Sequence, residues 1–73
     1  MQSERPAHIE ITVNGRDMHM PLATSLGDLI THCAITGRYA IEVNGEIVPR
    51  SQHQLAKLEQ GDRIEIVQAI GGG

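Results

Sequence analysis

Aromatic residues are almost missing from this sequence: it has no Phe, no Trp and one tyrosine, Tyr39. Any core must therefore be aliphatic. Cysteine is equally scarce. Cys33 stands alone, so no intramolecular disulfide can form, and a secreted domain this small would ordinarily need such staples. The expected compartment is the reducing cytoplasm. Basic charge is sparse as well, with six Lys and Arg scattered against nine Asp and Glu, for a net charge of -3. Phosphate backbones are gripped by concentrated basic faces, so nucleic acid is not an expected partner. No apolar stretch approaches the length of a membrane span, and Met1 to Pro6 lacks the apolar core of a signal peptide. The four histidines, His8, His19, His32 and His53, lack the paired spacing of a zinc site, and one cysteine cannot complete such a site. No glycine-rich loop opens a helix in the manner of a nucleotide cradle, so no bound cofactor is expected. No nucleophile-and-base set is legible from spacing, so no catalytic residue is assigned and the chain does not read as an enzyme.

What remains is a small aliphatic domain of 73 residues. Ile9, Ile11 and Val13 alternate with polar residues and predict a half-buried strand. Asn14-Gly15 follows, the strongest short hairpin signal. A two-residue turn there sets Val13 opposite Arg16, Ile11 opposite Met18 and Ile9 opposite Met20, so the apolar residues share one face. Glu10 then faces His19 on the other side. Thr24 or Ser25 caps a helix whose apolar stripe is Leu26, Leu29, Ile30 and Cys33, with Asp28 in its first turn and Gly37 as its expected stop. On that stripe Cys33 reads as a buried core cysteine.

Tyr39 to Val43 predicts a third strand, and Asn44-Gly45 a second turn. A two-residue turn here pairs Ile41 with Val48 but leaves Ile47 opposite Glu42, so a bulge, a wider loop or two covered faces all stay open. Ser51 and Gln54 have capping-box spacing and predict a short helical turn through Leu55 and Leu58. After a Gly61-Asp62 turn, Ile64, Ile66, Val67 and Ile70 predict the last strand. The order of elements predicts an α+β roll: a mixed sheet of about five strands, one main helix across it and a short second helical turn. Residues 1–7 are expected to be a disordered lead-in, 8–70 the folded domain and 71–73 a flexible glycine tail.

That tail carries the strongest functional signal. A terminal glycine offers an unhindered carboxylate, and glycine lets a backbone enter a narrow cleft in torsions closed to other residues. A folded body with such a tail can present its own carboxylate to another protein's active site. The competing reading is an ordinary frayed end.

Three segments together carry a family resemblance: Val43-Asn44-Gly45-Glu46-Ile47-Val48-Pro49-Arg50, then Gly61-Asp62-Arg63-Ile64-Glu65-Ile66-Val67, then Ala69-Ile70-Gly71-Gly72-Gly73. They resemble the ThiS family of sulfur carriers in thiamine biosynthesis, and the resemblance runs from about Ile9 to Gly73. It implies a ubiquitin-like β-grasp fold. It also implies that Gly73 is adenylated by a ThiF-like enzyme using ATP and then converted to a thiocarboxylate. The sulfur comes from a donor such as a cysteine desulfurase and passes to a ThiG-like thiazole synthase. Gly71 and Gly72 become the slim part of the tail that threads the partner's active site, and Arg50, Val67 and Ile70 become candidate partner contacts. His53 stands where the family usually has an aromatic residue.

Other readings compete. The small subunit of molybdopterin synthase is similar and also ends in Gly-Gly, though it tends to be longer and richer in aromatics. A carrier for another sulfur-containing metabolite, a protein-conjugating modifier and a plain interaction module without carrier chemistry complete the set. The interaction module tolerates loss of Gly72 and Gly73, and the carriers do not.

Overall fold

The computed structural model describes residues 7–68. It contains β1 (His8–Val13), β2 (Arg16–Pro21), α1 (Leu26–His32), β3 (Tyr39–Val43), β4 (Glu46–Ile47), a 3-10 turn (Arg50–Gln52) and β5 (Arg63–Gln68). The five strands form one mixed sheet in the order β2-β1-β5-β3-β4. β5 lies at its centre, parallel to β1 and antiparallel to β3. The α+β roll expected from the sequence is the fold observed.

The first hairpin has the register its turn dictates: Val13 opposite Arg16, Ile11 opposite Met18 and Ile9 opposite Met20. Asn14 and Gly15 both have positive φ, 52° and 82°, as the tight hairpin turn requires. Ile9, Ile11, Val13 and Met20 are buried on the inner face, and Met18 packs at its margin. On the outer face His19 Nε2 lies 3.3 Å from Glu10 Oε2, the expected cross-strand pair.

Ser25 is the helix cap. Its hydroxyl accepts from Asp28 N–H at 3.0 Å, and the Asp28 carboxylate accepts from Ser25 N–H at 3.3 Å. The other donors of the first turn that lack an intrahelical partner are met across the fold, since Leu26 N–H donates to Ala56 O and Gly27 N–H to His53 O. Leu26 and Leu29 are fully buried and Ile30 nearly so, against Ile41, Leu58, Ile64 and Ile66 of the sheet side.

The helix does not run to Gly37. It stops at His32, with Ala34 in the left-handed region at φ 57°. Ala34 N–H donates to Thr31 O, and Ile35 N–H reaches back to Ile30 O, so the last carbonyls are satisfied by a reversal that normally selects glycine. Ile35 then packs on the core, which holds the reversal in place. This early stop leaves Cys33 as the C-cap residue, half-buried against the core rather than within it.

Two further expectations fail between Pro49 and Leu58. Ser51 caps nothing: the 3-10 turn is Arg50–Gln52, Pro49 sits at its cap position, and no side chain bonds there. Gln54 does not reach back to Ser51. Its carboxamide fills the space beside the buried helix residue Gly27, where a Cβ would collide with it. The helical turn therefore ends before Leu55, which is 71% exposed, while Leu58 enters the core at 4%.

The second turn is a plain two-residue hairpin without a bulge. Asn44 and Gly45 have φ of 53° and 88°, and Val43 pairs with Glu46 and Glu42 with Ile47. Ile47 is thereby turned to the outer face, 69% exposed.

Candidate functional site

The candidate site is the C-terminal end of β5, at Gln68. β5 alternates: Ile64 and Ile66 are buried, while Arg63, Glu65 and Val67 face outward. Val67, a candidate partner contact, lies on the surface, 64% exposed and opposite Ala40 of β3. Directly beside that pair, Glu65 of β5 faces Glu42 of β3. Ile47 lies one strand further out, across from Glu42. The outer face near the end of β5 is thus apolar at Val67, Ala40 and Ile47 and acidic between them. Like charges directly opposite weaken a sheet, so this face is not arranged for the stability of the isolated domain.

Gln68 is the last described residue of β5, and it pairs with Tyr39 at the start of β3. Around Tyr39 a compact cluster forms. The Arg50 guanidinium carbon sits 4.5 Å from the Tyr39 ring centroid, and Arg50 Nη2 donates to Gly37 O at 3.3 Å. His53 stacks on Tyr39 with centroids 6.0 Å apart and ring planes 21° apart. His53 is 6% exposed, and its Nε2 lies 3.0 Å from Val48 O. His53 thus stacks on Tyr39 and adds a polar tie to Val48. Arg50 is one of the candidate partner contacts. Its side chain does bind the edge, through Gly37 and Tyr39, and the residue itself is exposed at the end of the sheet from which β5 exits. Gln68 Nε2 donates to Thr36 O, which ties the same corner to the loop after α1.

Of the expected site residues, Arg50 and Val67 are brought to the end of β5. Ile70, Gly71, Gly72 and Gly73 lie outside the described residues, as do residues 1–6 of the expected lead-in. Ala7 is described, and its carbonyl accepts from Leu22 N–H at 2.9 Å. Sequence reasoning missed Tyr39 and His53 as one unit, because nothing in their spacing announces a stack. It also missed the two turn asparagines as ligands of β5. Asn44 Oδ1 accepts from Arg63 N–H at 2.9 Å, and Asn14 Oδ1 accepts from Ile66 N–H at 2.7 Å. The one available signal was the choice of Asn over Gly or Asp at both turns.

Elsewhere, a shallow depression of about 240 Å³ lies at the opposite end of β5, lined by Glu10, Thr12, Asp17, His19 and Gln60 among others. Among the described residues no group of three or more His, Cys, Asp or Glu is placed to hold a metal ion. No described helix is long and apolar enough to cross a membrane.

The sequence model of the ThiS family matches residues 5–73, nearly the whole chain. The chain belongs to the ThiS family. A solved structure, a thiamine biosynthesis protein (ThiS) from Geobacter metallireducens, superposes with a TM-score of 0.76 at 23% identity, covering 89% of this chain and all of that one. At that identity the likeness bears on the fold, and the fold is the β-grasp. A curated relative, a thiazole synthase from Paramagnetospirillum magneticum, is 32% identical over 66 residues. That match covers 89% of this chain but spans only 20% of the relative's length.

Proposed function

We propose that this ThiS-family chain works in the cytoplasm as a protein co-substrate, a sulfur carrier for thiazole formation, and is not itself an enzyme. The family match through Gly73 is the observation that carries the reading. A free carboxylate is a poor acyl donor, because its leaving group is oxide. In the proposed sequence a Gly73 carboxylate oxygen attacks the α-phosphorus of ATP in a ThiF-like enzyme. A P–O bond forms and pyrophosphate leaves. The terminal sulfur of a persulfide on a donor such as a cysteine desulfurase then attacks the acyl carbon, forming a C–S bond and expelling AMP; a thiol reductant cleaves the S–S bond of the resulting acyl disulfide, releasing the thiocarboxylate and leaving the thiols oxidised to a disulfide. The carrier binds no cofactor of its own in this scheme, since ATP belongs to the partner. Gly71 and Gly72 thread the partner's cleft.

The recipient is a ThiG-like thiazole synthase. The matching fifth of a thiazole synthase chain supports that pairing, because a relative that joins the two units in one polypeptide has placed them within reach of each other. Partner contacts are proposed at Arg50, Val67 and Ile70, around the exit of β5. The acidic, apolar outer face there supports this placement, since it is costly for the isolated sheet.

The reading requires Gly73 to carry a free α-carboxylate. Intact mass after incubation with a ThiF-like enzyme, ATP and a sulfur donor tests it. The expected result is one oxygen replaced by sulfur, mapped to Gly73, and its abolition on deleting Gly72 and Gly73 with the fold unchanged. An unchanged mass, with the enzyme active on another carrier, overturns the reading in favour of an interaction module.

A further inference from the structure

β5 is supported unequally on its two sides. Its pairing with β3 runs over five residues, from Val43 opposite Ile64 to Tyr39 opposite Gln68. Its pairing with β1 covers only two, Thr12 with Arg63 and Val13 with Ile64, because β1 turns away at Asn14. Beyond that point the flank of β5 toward β1 has lost its neighbour, just where the strand approaches the tail.

Asn14 takes the neighbour's place. Its backbone N–H donates to Ile64 O at 2.8 Å. Its side chain then continues along β5: Nδ2 donates to Ile66 O at 3.2 Å, and Oδ1 accepts from Ile66 N–H at 2.7 Å. A carboxamide has the same donor and acceptor as a peptide group, so it serves as one more rung of the ladder after the backbone has left. Asn44 does the corresponding work at the other end of β5 and on its other flank. Asn44 N–H donates to Arg63 O at 2.8 Å, Oδ1 accepts from Arg63 N–H, and Nδ2 donates to Asp62 Oδ1. One turn thus ties β5 at its start, and the other holds it at Ile66.

We propose that Asn14 is a positioning residue for loading of the tail: its carboxamide sets the direction in which β5 delivers the C-terminal segment to the adenylating enzyme. The inference rests on the carrier reading. The body of the domain docks and the tail reacts, so a misdirected β5 exit slows the chemical step more than it weakens docking. Small errors in the placement of a reacting group cost rate steeply.

The test compares the full chain with Asn14→Gly, Asn14→Asp and Asn44→Gly. Glycine keeps the left-handed turn while removing the carboxamide. Aspartate also tolerates that turn, and it retains the acceptor for Ile66 N–H while setting an oxygen against Ile66 O. Adenylation by a ThiF-like enzyme is followed by pyrophosphate release, and amide hydrogen exchange is read at Ile66. For Asn14→Gly the expected result is a kcat lower by about tenfold with faster exchange at Ile66. KM stays within about twofold. Asn14→Asp falls between wild type and Asn14→Gly, and Asn44→Gly keeps its kcat. A wild-type kcat for Asn14→Gly despite fast exchange at Ile66 overturns the proposal. Equal losses of kcat in the two glycine variants do so too, because that is a general weakening of the domain. Both results leave the carrier reading standing. A wild-type chain that releases no pyrophosphate, with the enzyme active on its own carrier, removes the carrier reading and the role of Asn14 with it.

Discussion

The two Asn-Gly hairpins have the same turn and opposite fates. In each, asparagine and glycine take positive φ, 52° and 82° in the first, 53° and 88° in the second. The first turn closes six paired positions and drives Ile9, Ile11, Val13 and Met20 into the core. The second closes two, and its return strand β4 places Ile47 in solvent. The difference lies in the residues after the turn. Arg16 to Pro21 keep an inward rhythm through Met18 and Met20, whereas Glu46 and Ile47 have no such phase and Pro49 ends the strand. A local turn signal therefore fixes register without fixing how far a sheet continues or what it buries.

The largest test of that contrast is truncation of an isoleucine in each hairpin. Ile11→Ala removes a side chain 2% exposed and is expected to cost about 2–5 kcal/mol in urea unfolding, enough to unfold much of a small domain. Ile47→Ala, at 69% exposure, is expected to stay within about 0.5 kcal/mol. Comparable losses at the two sites break the comparison. The next effect tests the likeness of the turns. Gly15→Ala and Gly45→Ala each meet nothing within 4 Å, so backbone strain alone acts and the expected cost is about 1–2 kcal/mol at both. Thermal melts that differ widely between them show that the turns are not equivalent. The smallest effect lies on the outer face of the second hairpin. Glu42→Lys turns the repulsion with Glu65 into attraction and is expected to raise stability by roughly 0.5 kcal/mol, with the gain lost in high salt.

The first hairpin, β3 and a helix cap at Thr24 or Ser25 were legible because turn chemistry, side-chain phase and propensity agreed there, and the structure selects Ser25. The helix stop was misread at Gly37 because left-handed geometry is normally glycine's. Here Ala34 accepts the strain while Ile35 is anchored on the core. Ser51 and Gln54 had capping spacing, but Gln54 is drawn instead to the slot beside Gly27, a contact between segments that no local rule contains. The site was legible in part. Arg50 and Val67 stood out in the sequence, and the structure brings both to the end of β5. The stack of Arg50, Tyr39 and His53, and the grip of Asn14 on Ile66, join residues far apart in sequence and became visible only in three dimensions.

Because β5 alone joins the two hairpins, the sheet is two halves until the strand that leads to the tail arrives. The contacts that unite them, such as Asn14 with Ile66 at a separation of 52 residues, are among the slowest kind to form. Synthesis makes β5 after the other four strands. A nascent or truncated chain lacking it holds β1 and β3 with bare edges, a sticky species. Folding thus acts as an inspection step: the sheet closes only once its last strand has been made.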